Sequence, residues 1–319
     1  MCSAYPRAPN PRAYQPRRAR ESPLYRIVQD HLETLLDRIG SSSAIRPGRS
    51  PGLVRDVGAA PRPPAFAEDA LRAFLECGVH RFGVVRFRCG QCGESVFVPW
   101  SCRRRTVCPS CDAKRAVIES SVAMDGLLPH APYRQWVLVL PKRLRYFVHR
   151  NPALAGEISR ILASAINRFY AERSGRGGDP SSPCAPAQVL VVQRFGGKAN
   201  LHVHLHAVVS DGVFALREGA GGDGKLGFIP APEPSPTEIA HLCERLRRNI
   251  LRRVVRLGAV PEESAREMLA RSHGGFSLDA SVHVAADDRP ALERLIRYCL
   301  RPAISLNTDF RRASILTPI

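Results

Sequence analysis

The sequence predicts a mixed α/β chain of more than one domain, opening with a helix and a zinc ribbon. Three observations predict this. Segments with apolar residues at helical spacing alternate along the chain with short β-rich runs. Two CxxC pairs stand 15 residues apart, Cys89-Gly-Gln-Cys92 and Cys108-Pro-Ser-Cys111. Three histidines alternate with aliphatic residues in His202-Val-His204-Leu-His206. A chain of 319 residues with 44% hydrophobic content is long enough for two or three modest cores.

Residues 1 to 20 are rich in Pro and Arg and lack hydrophobic periodicity, which predicts a disordered basic arm. From Ser22 the apolar residues Leu24, Ile27, Val28, Leu32, Leu35, Leu36 and Ile39 recur at helical spacing, with Gly40 as a stop. A linker of Ser, Pro, Gly and Arg from Ser41 to Pro64 precedes a short helix over Phe66–Cys77, which Gly78 ends. Beyond the cysteines the pattern predicts a helix over Ala113–Leu127, a strand over Gln135–Leu140 and an amphipathic helix over Ala153–Glu172. A Gly, Ser and Pro loop follows over Ser174–Pro186. Gln188–Phe195 and Leu201–Val209 form a hairpin across Gly196–Asn200. After a flexible loop at Gly219–Gly224 come a long basic helix over Thr237–Leu257, a shorter one over Glu262–Ala270, a strand over Phe276–Val284 and a helix over Pro290–Leu300. The expected domains are the arm over 1–20, a helical and zinc-binding segment over 22–126, and an α/β domain over 133–319.

Charge narrows the partner. The chain carries 47 Lys and Arg against 29 Asp and Glu, a net +18 at pH 7, and its isoelectric point is near 10.2. Such a balance favours an anionic partner, nucleic acid first and an anionic membrane surface second. No stretch approaches the roughly 20 apolar residues that span a bilayer. Met1–Arg20 has five arginines and no apolar centre, unlike an export signal. The chain is therefore expected in the cytoplasm. Ten cysteines in such a chain read as metal ligands or free thiols before disulfides.

The spacing of Cys89, Cys92, Cys108 and Cys111 falls within the range of zinc sites built from two tight knuckles. Four thiolates close the coordination shell, so the zinc would be structural. Cys102 lies between the pairs, and Cys77 with His80 lies before them; any of these could replace a ligand. Arg103, Arg104 and Arg105 belong to a basic cluster around the knuckles that suits phosphate contact.

On the histidine run, period-2 geometry places all three imidazoles on one face and Leu201, Val203, Leu205 and Ala207 on the other. Two neighbouring imidazoles can share a metal, with a third ligand from His202, Gln193, Asp211 or a later helix. Such a centre keeps positions open to polarise a phosphoryl oxygen. In Arg294-Leu-Ile-Arg-Tyr-Cys-Leu-Arg-Pro, Tyr298 lies at the edge of the apolar stripe beside Arg294. Arg294, Arg297 and Arg301 around it favour a phenolate and bind phosphate.

The order of these motifs resembles the HUH-type transposases of the insertion-sequence-91 family. The resemblance runs through Phe74-Leu-Glu-Cys-Gly, Ser101-Cys-Arg-Arg-Arg-Thr-Val-Cys-Pro-Ser-Cys, Arg134-Gln-Trp-Val-Leu-Val-Leu-Pro-Lys-Arg-Leu-Arg-Tyr and Gln193-Arg-Phe-Gly. It continues in Asn200-Leu-His-Val-His-Leu-His, Asp211-Gly-Val-Phe and Leu295-Ile-Arg-Tyr-Cys-Leu-Arg-Pro, covering roughly residues 22 to 302. It implies a catalytic domain with a central antiparallel sheet, in a bacterial, DNA-associated enzyme. His204 and His206 would hold a divalent Mg²⁺ or Mn²⁺, and Tyr298 would attack the scissile phosphate, leaving a 5′-phosphotyrosine and a free 3′-hydroxyl. The ribbon would help recognise element-end DNA, with single strands as the substrate. The sequence departs from two-tyrosine relatives, since Pro302 stands four residues after Tyr298. It also stops at Ile319 where relatives continue, so a C-terminally truncated copy is expected. The alternatives are a non-catalytic DNA-binding remnant and, behind it, a zinc hydrolase using the same histidines.

Overall fold

The computed structural model describes residues 19–41, 65–104, 106–176, 183–196, 200–216, 226–271, 274–302 and 304. Outside them lie all but the last two residues of the expected basic arm, nearly all of the Ser41–Pro64 linker, the Gly219–Gly224 loop, the middle of the Ser174–Pro186 and Gly196–Asn200 loops, and residues 305–319. The chain forms two compact units that divide between Val117 and Ile118, the second running to residue 303.

In the first unit, α1 (Pro23–Ser41) and α2 (Ala65–Glu76) precede an antiparallel hairpin of β1 (Val84–Arg88) and β2 (Ser95–Pro99). Helix α3 (Pro109–Val122) begins in this unit. The small core joins Tyr25 of α1 to Phe74 of α2, their ring centroids 6.2 Å apart, and to Cys77, Val79 and Cys108. Arg72 ties the two helices to Glu33 and Glu68 at 2.8 Å, but all three side chains are solvent-exposed and such pairs stabilise little. The hairpin turns over Cys89–Glu94. There Gly93 has a φ of +72°, which residues with a side chain rarely adopt, and donates to the Cys89 carbonyl at 3.0 Å.

The second unit continues from α3 through a π-helical turn at Ala123–Leu127. Its further elements are β3 (Tyr133–Val139), α4 (Lys142–Arg150), α5 (Pro152–Arg173), β4 (Cys184–Ala185), β5 (Gln188–Phe195), β6 (Leu201–Ser210), β7 (Gly212–Leu216), β8 (Leu226–Pro230), α6 (Pro236–Arg256), α7 (Glu262–Ala270), β9 (Ser277–Val284) and α8 (Arg289–Cys299). The central sheet has the order β5-β6-β3-β9 with every pair antiparallel. A smaller sheet runs β4-β7-β8. The expected mixed α/β fold with a central antiparallel sheet is the fold observed.

The strand period assigns the two faces of the central sheet. Trp136, Leu138, Val203, Leu205, Ala207 and Val209 turn to one side and pack against α5 through Ile158, Leu162 and Ile166 and against α6 through Leu246 and Ile250. The caps fix these helices. Asn151 accepts from the Ala153 amide at the start of α5, and Ser235 with Glu238 forms a reciprocal capping box on α6. Within this layer lies a buried ion pair, Arg134 with Asp211 at 2.9 Å. The Tyr170 hydroxyl donates to the same carboxylate at 2.7 Å, so the buried charges are paired and hydrogen-bonded. Tyr133, Val208 and the three histidines turn to the other face, where α8 docks by Leu292, Ile296 and Cys299. Asp288 caps that helix, accepting from the Ala291 amide at 2.9 Å.

Candidate metal centres and nucleophile

The structure gathers a cysteine quartet, though not the four that CxxC spacing selects. Cys108 and Cys111 join Cys77 and Cys102, all four sulfurs lying within 4.8 Å of one another. Cys89 and Cys92 sit instead at the exposed tip of the hairpin. The reason is the hairpin itself: five paired residues on each strand carry the first knuckle away from the base, where Cys77 and Cys102 flank the strands. Cys77 follows α2, Cys102 follows β2, and Cys108 and Cys111 lie at the start of α3, whose amino-terminal dipole favours thiolates.

The donor set fits zinc. A tetrahedron of metal–sulfur bonds of about 2.3 Å has edges of roughly 3.8 Å. The Cys77–Cys111, Cys77–Cys108 and Cys102–Cys111 sulfur separations are 3.6, 3.6 and 3.7 Å. The Cys102 amide also donates to the Cys77 sulfur at 3.4 Å. The crowded sulfurs draw the Cys77 and Cys111 thiols down, Cys111 to about 7, and push Cys108 up. At the hairpin tip the Cys89 thiol is also lowered, first by the Cys92 amide and then by the Gln91 amide. Thr106 donates to the buried Asp112 at 2.8 Å, fixing the loop that enters α3. On that loop Arg103 and Arg104 are exposed, and Arg105 lies outside the described residues.

The histidine face is open where the quartet is closed. His202, His204 and His206 line one face of β6, with ring centroids 5.0 and 4.8 Å apart in turn. The Nδ1–H of His204 donates to the His202 carbonyl at 2.6 Å, which leaves its Nε2 lone pair free to bind a metal. His206 is buried, and its Nε2 has no hydrogen-bond partner among the described residues. The side-chain amide of Gln135 lies 2.9 Å from His206 Nδ1. Turned so that its oxygen accepts the Nδ1 proton, that amide leaves Nε2 as the ligand atom. Burial lowers the pKa of all three rings, that of His206 to about 4, so they are neutral as metal ligands must be.

The third-ligand candidates separate. Gln193 is the cross-strand partner of His204 and shares its face; its amide nitrogen donates to the Cys299 carbonyl at 2.7 Å. Asp211 is held by Arg134 and Tyr170 on the helix-covered side of the sheet, away from the histidines. Among the described residues, the cysteine quartet is the only group of three or more His, Cys, Asp or Glu with ligand atoms so close together. The histidine face therefore offers neutral imidazoles and a carboxamide as donors, an open set unlike the cysteine quartet.

Tyr298 comes to this face from the last turn of α8. Its ring lies 5.9 Å from that of His206, nearly perpendicular, and it is 46% exposed. The Arg301 guanidinium stands 4.5 Å over the tyrosine ring, and Arg294 is exposed one turn earlier on the same helix. Arg297 is placed differently: it pairs with Glu293 at 3.1 Å and donates to Ser120 at 3.3 Å. Two contributors were not singled out from sequence, Gln135 and Arg145. Counting the β3 period from Tyr133 puts Gln135 on the histidine face, so it was within reach. Arg145 of α4, whose charge lowers the pKa of His202 and His204, sits in a helix that the sequence pattern does not announce.

Comparison with known proteins agrees with both halves. The model described as "Transposase zinc-binding domain" matches residues 55–140, and the one described as "Putative transposase" matches residues 188–308. No curated protein and no solved structure matches the chain. A zinc-binding cysteine quartet ahead of an α/β unit that carries the transposase match defines the class, a DNA-processing transposase. Together the two matches support an insertion-sequence-91 family transposase. The quartet and the zinc-binding match together support a structural zinc. No described helix is long and apolar enough to cross a membrane.

Proposed function

We propose that the chain nicks and rejoins single strands of DNA at element ends, with Tyr298 as nucleophile and His204, His206 and Gln193 as holders of Mg²⁺ or Mn²⁺. The observation that carries this reading is a phenol 5.9 Å, centroid to centroid, from a buried imidazole whose Nε2 lacks a partner. When bound, the divalent ion would supply charge for the scissile phosphate. The side chains do the rest. Arg294 and Arg301 hold the phosphate beside the tyrosine, and Gln193 ties the end of α8 to β5 through the Cys299 carbonyl. The Tyr298 oxygen attacks phosphorus, the bond to the 3′-oxygen breaks, and the phenolic proton passes through solvent to that oxygen. The products are a 5′-phosphotyrosine and a free 3′-hydroxyl. One ester bond replaces another, so a 3′-hydroxyl can reverse the step and join a strand. In the first unit, Arg103 and Arg104 present phosphate contacts for element-end DNA.

The test is incubation of the full chain with labelled single-stranded element ends and Mg²⁺ or Mn²⁺. A covalent protein–DNA adduct is expected, lost in Tyr298→Phe with the melting curve unchanged. An adduct that persists in Tyr298→Phe would remove Tyr298 from the reaction.

A further inference from the structure

Helices α5 and α6 run side by side on the sheet face opposite the histidines and Tyr298, and a groove of about 460 Å³ lies between their outer surfaces. Arg160 and Arg168 line it from α5, and Arg245, Arg252, Arg253 and Arg256 from α6. The sequence predicts α6 as a basic helix but says nothing of this pairing. Glu157 is the single carboxylate in the lining; it pairs with Arg160 and, at 2.8 Å, with Arg253. Arg168, Arg245, Arg252 and Arg256 are exposed and have no acidic partner among the described residues.

Like charges held this close on a rigid scaffold repel one another, and the fold does nothing to neutralise them internally. The helix period makes them a track. Arg245, Asn249, Arg252 and Arg256 recur at i, i+4, i+7 and i+11 along α6, and Arg160, Ser164 and Arg168 recur every fourth residue along α5. At about 1.5 Å per residue each stripe runs on the order of 12 to 16 Å. That is the axial length of roughly four or five phosphates of one duplex strand at about 3.4 Å each. Guanidinium groups bind phosphate oxygens bidentately, which favours them over lysines for this purpose. The lining holds no aromatic side chain, so it offers no platform on which unpaired bases could stack.

We propose that the arginine groove between α5 and α6 binds the phosphate backbone of duplex DNA without regard to sequence, as a second nucleic-acid site on the side of the sheet opposite the nucleophile. A strand under cleavage and a neighbouring duplex could then be held by one unit at the same time. The inference depends on DNA being the partner and not on the chemistry of Tyr298.

The probe is a random-sequence duplex of about two helical turns, titrated by fluorescence anisotropy against the full chain across a salt series. In the triple variant Arg245→Gln, Arg252→Gln, Arg256→Gln, duplex affinity at low salt is expected to fall about tenfold or more. The slope of log affinity against log salt should flatten by about 2 to 3, near 0.9 for each lost phosphate contact. The triple Arg→Lys variant should keep most of the slope. Both variants should melt as the parent does and should form the tyrosyl adduct on a short single strand as the parent does. Unchanged duplex affinity and slope in the Gln variant would overturn the proposal. So would loss of binding by the Gln and Lys variants alike together with lowered melting, which would make the arginines structural. If polyglutamate displaces duplex from the parent at equal charge concentration but not from the Gln variant, the groove is one for an acidic protein, and the proposal again fails. Should the parent form no adduct on any strand while the duplex results hold, the cleavage reading fails and the groove stands.

Discussion

The cysteine quartet and the histidine face both present metal-binding side chains, yet they are assembled in opposite ways. Cys77, Cys102, Cys108 and Cys111 come from the two connections that flank one hairpin and from the start of α3, and their sulfurs converge. His204 and His206 come from a single strand, and their partners Gln135, Gln193 and Tyr298 come from β3, β5 and the last turn of α8. The first arrangement would fill every coordination position of a bound zinc, which ties the folding of this small core to the metal. The second rests on a sheet held by a large apolar core, so its proposed ligands are placed by the fold and not by an ion. A closed set builds structure, whereas an open set on a prebuilt floor leaves room for chemistry.

Removing metal should break that comparison most visibly. In zinc-finger peptides the bound ion is worth about 10 to 16 kcal/mol, and the small core around Tyr25 and Phe74 cannot replace that. Chelation, or Cys108→Ser, is expected to abolish zinc binding and the cooperative melting of the first unit while the second stays folded. The paired change Cys89→Ser and Cys92→Ser should leave zinc content and melting as they are. Metal analysis alongside circular dichroism checks both, and loss of zinc from the hairpin-tip variant would return the site to the CxxC pair.

The second unit should be most sensitive in its scaffold, not in its ligands. Asp211→Asn removes the closer and buried counter-charge of Arg134, leaving it the solvent-exposed Glu233 at 3.4 Å, and weakens the bond from Tyr170. Breaking such a pair costs about 3 to 5 kcal/mol. Denaturant titration should show the midpoint falling accordingly, with zinc content in the first unit unchanged. A shift near zero would mean that the pair is dispensable to this layer.

How much of this was legible in the sequence follows the same division. Where a local period set the answer, the reading was close: β5 and α7 have the expected bounds, and α5, α6 and α8 differ by a residue at their ends. The alternation of His202, His204 and His206 with aliphatic residues placed the three imidazoles together on one face of β6, as the strand has them. The zinc ligands were harder, because CxxC spacing describes a knuckle and not which knuckles meet. Val84–Arg88 and Ser95–Pro99 form a hairpin that separates the two pairs, and nearly all of its side chains are exposed, so no apolar stripe advertises it. Helix α4 was missed for a similar reason: it buries only Leu144 and Val148 amid charged residues. Long-range pairing, such as Gln135 with His206 or Arg134 with Asp211, depends on strand order, and strand order is not a local property.

Changing the histidines sharpens the contrast from the other side. His204→Ala and His206→Ala remove the proposed ligands from a sheet whose large apolar core lies on its other face, so melting at neutral pH should hold while cleavage falls by about a hundredfold or more. Acid acts on the same rings through stability. Burial first, and then the charges of His204 and Arg301, lower the pKa of His206 from 6.5 to about 4. Below pH 6.5 the unfolded chain takes up a proton there that the folded chain refuses until about 4. The contribution is therefore intact above that window and declines as the pH falls through it. In His206→Ala this part of the acid sensitivity should disappear from the melting curves.

The smallest effect should come from Gln135, which touches no substrate in the proposed reaction. Its amide lies 2.9 Å from His206 Nδ1 and 3.3 Å from the Cys299 sulfur, so it joins the metal-facing strand to the helix that carries Tyr298. Loss of an outer partner of this kind typically weakens metal affinity about 10- to 100-fold. Gln135→Ala is expected to need correspondingly more Mn²⁺ for half-maximal cleavage. The rate at saturating metal should change little, because Cys299 and Ile296 still hold α8 against the sheet. Gln135→Glu keeps an acceptor for the Nδ1 proton and should restore the metal requirement. A fall in the saturated rate, unrelieved by Gln135→Glu, would instead assign Gln135 to placing the tyrosine helix, and a metal titration of the three proteins separates the two roles.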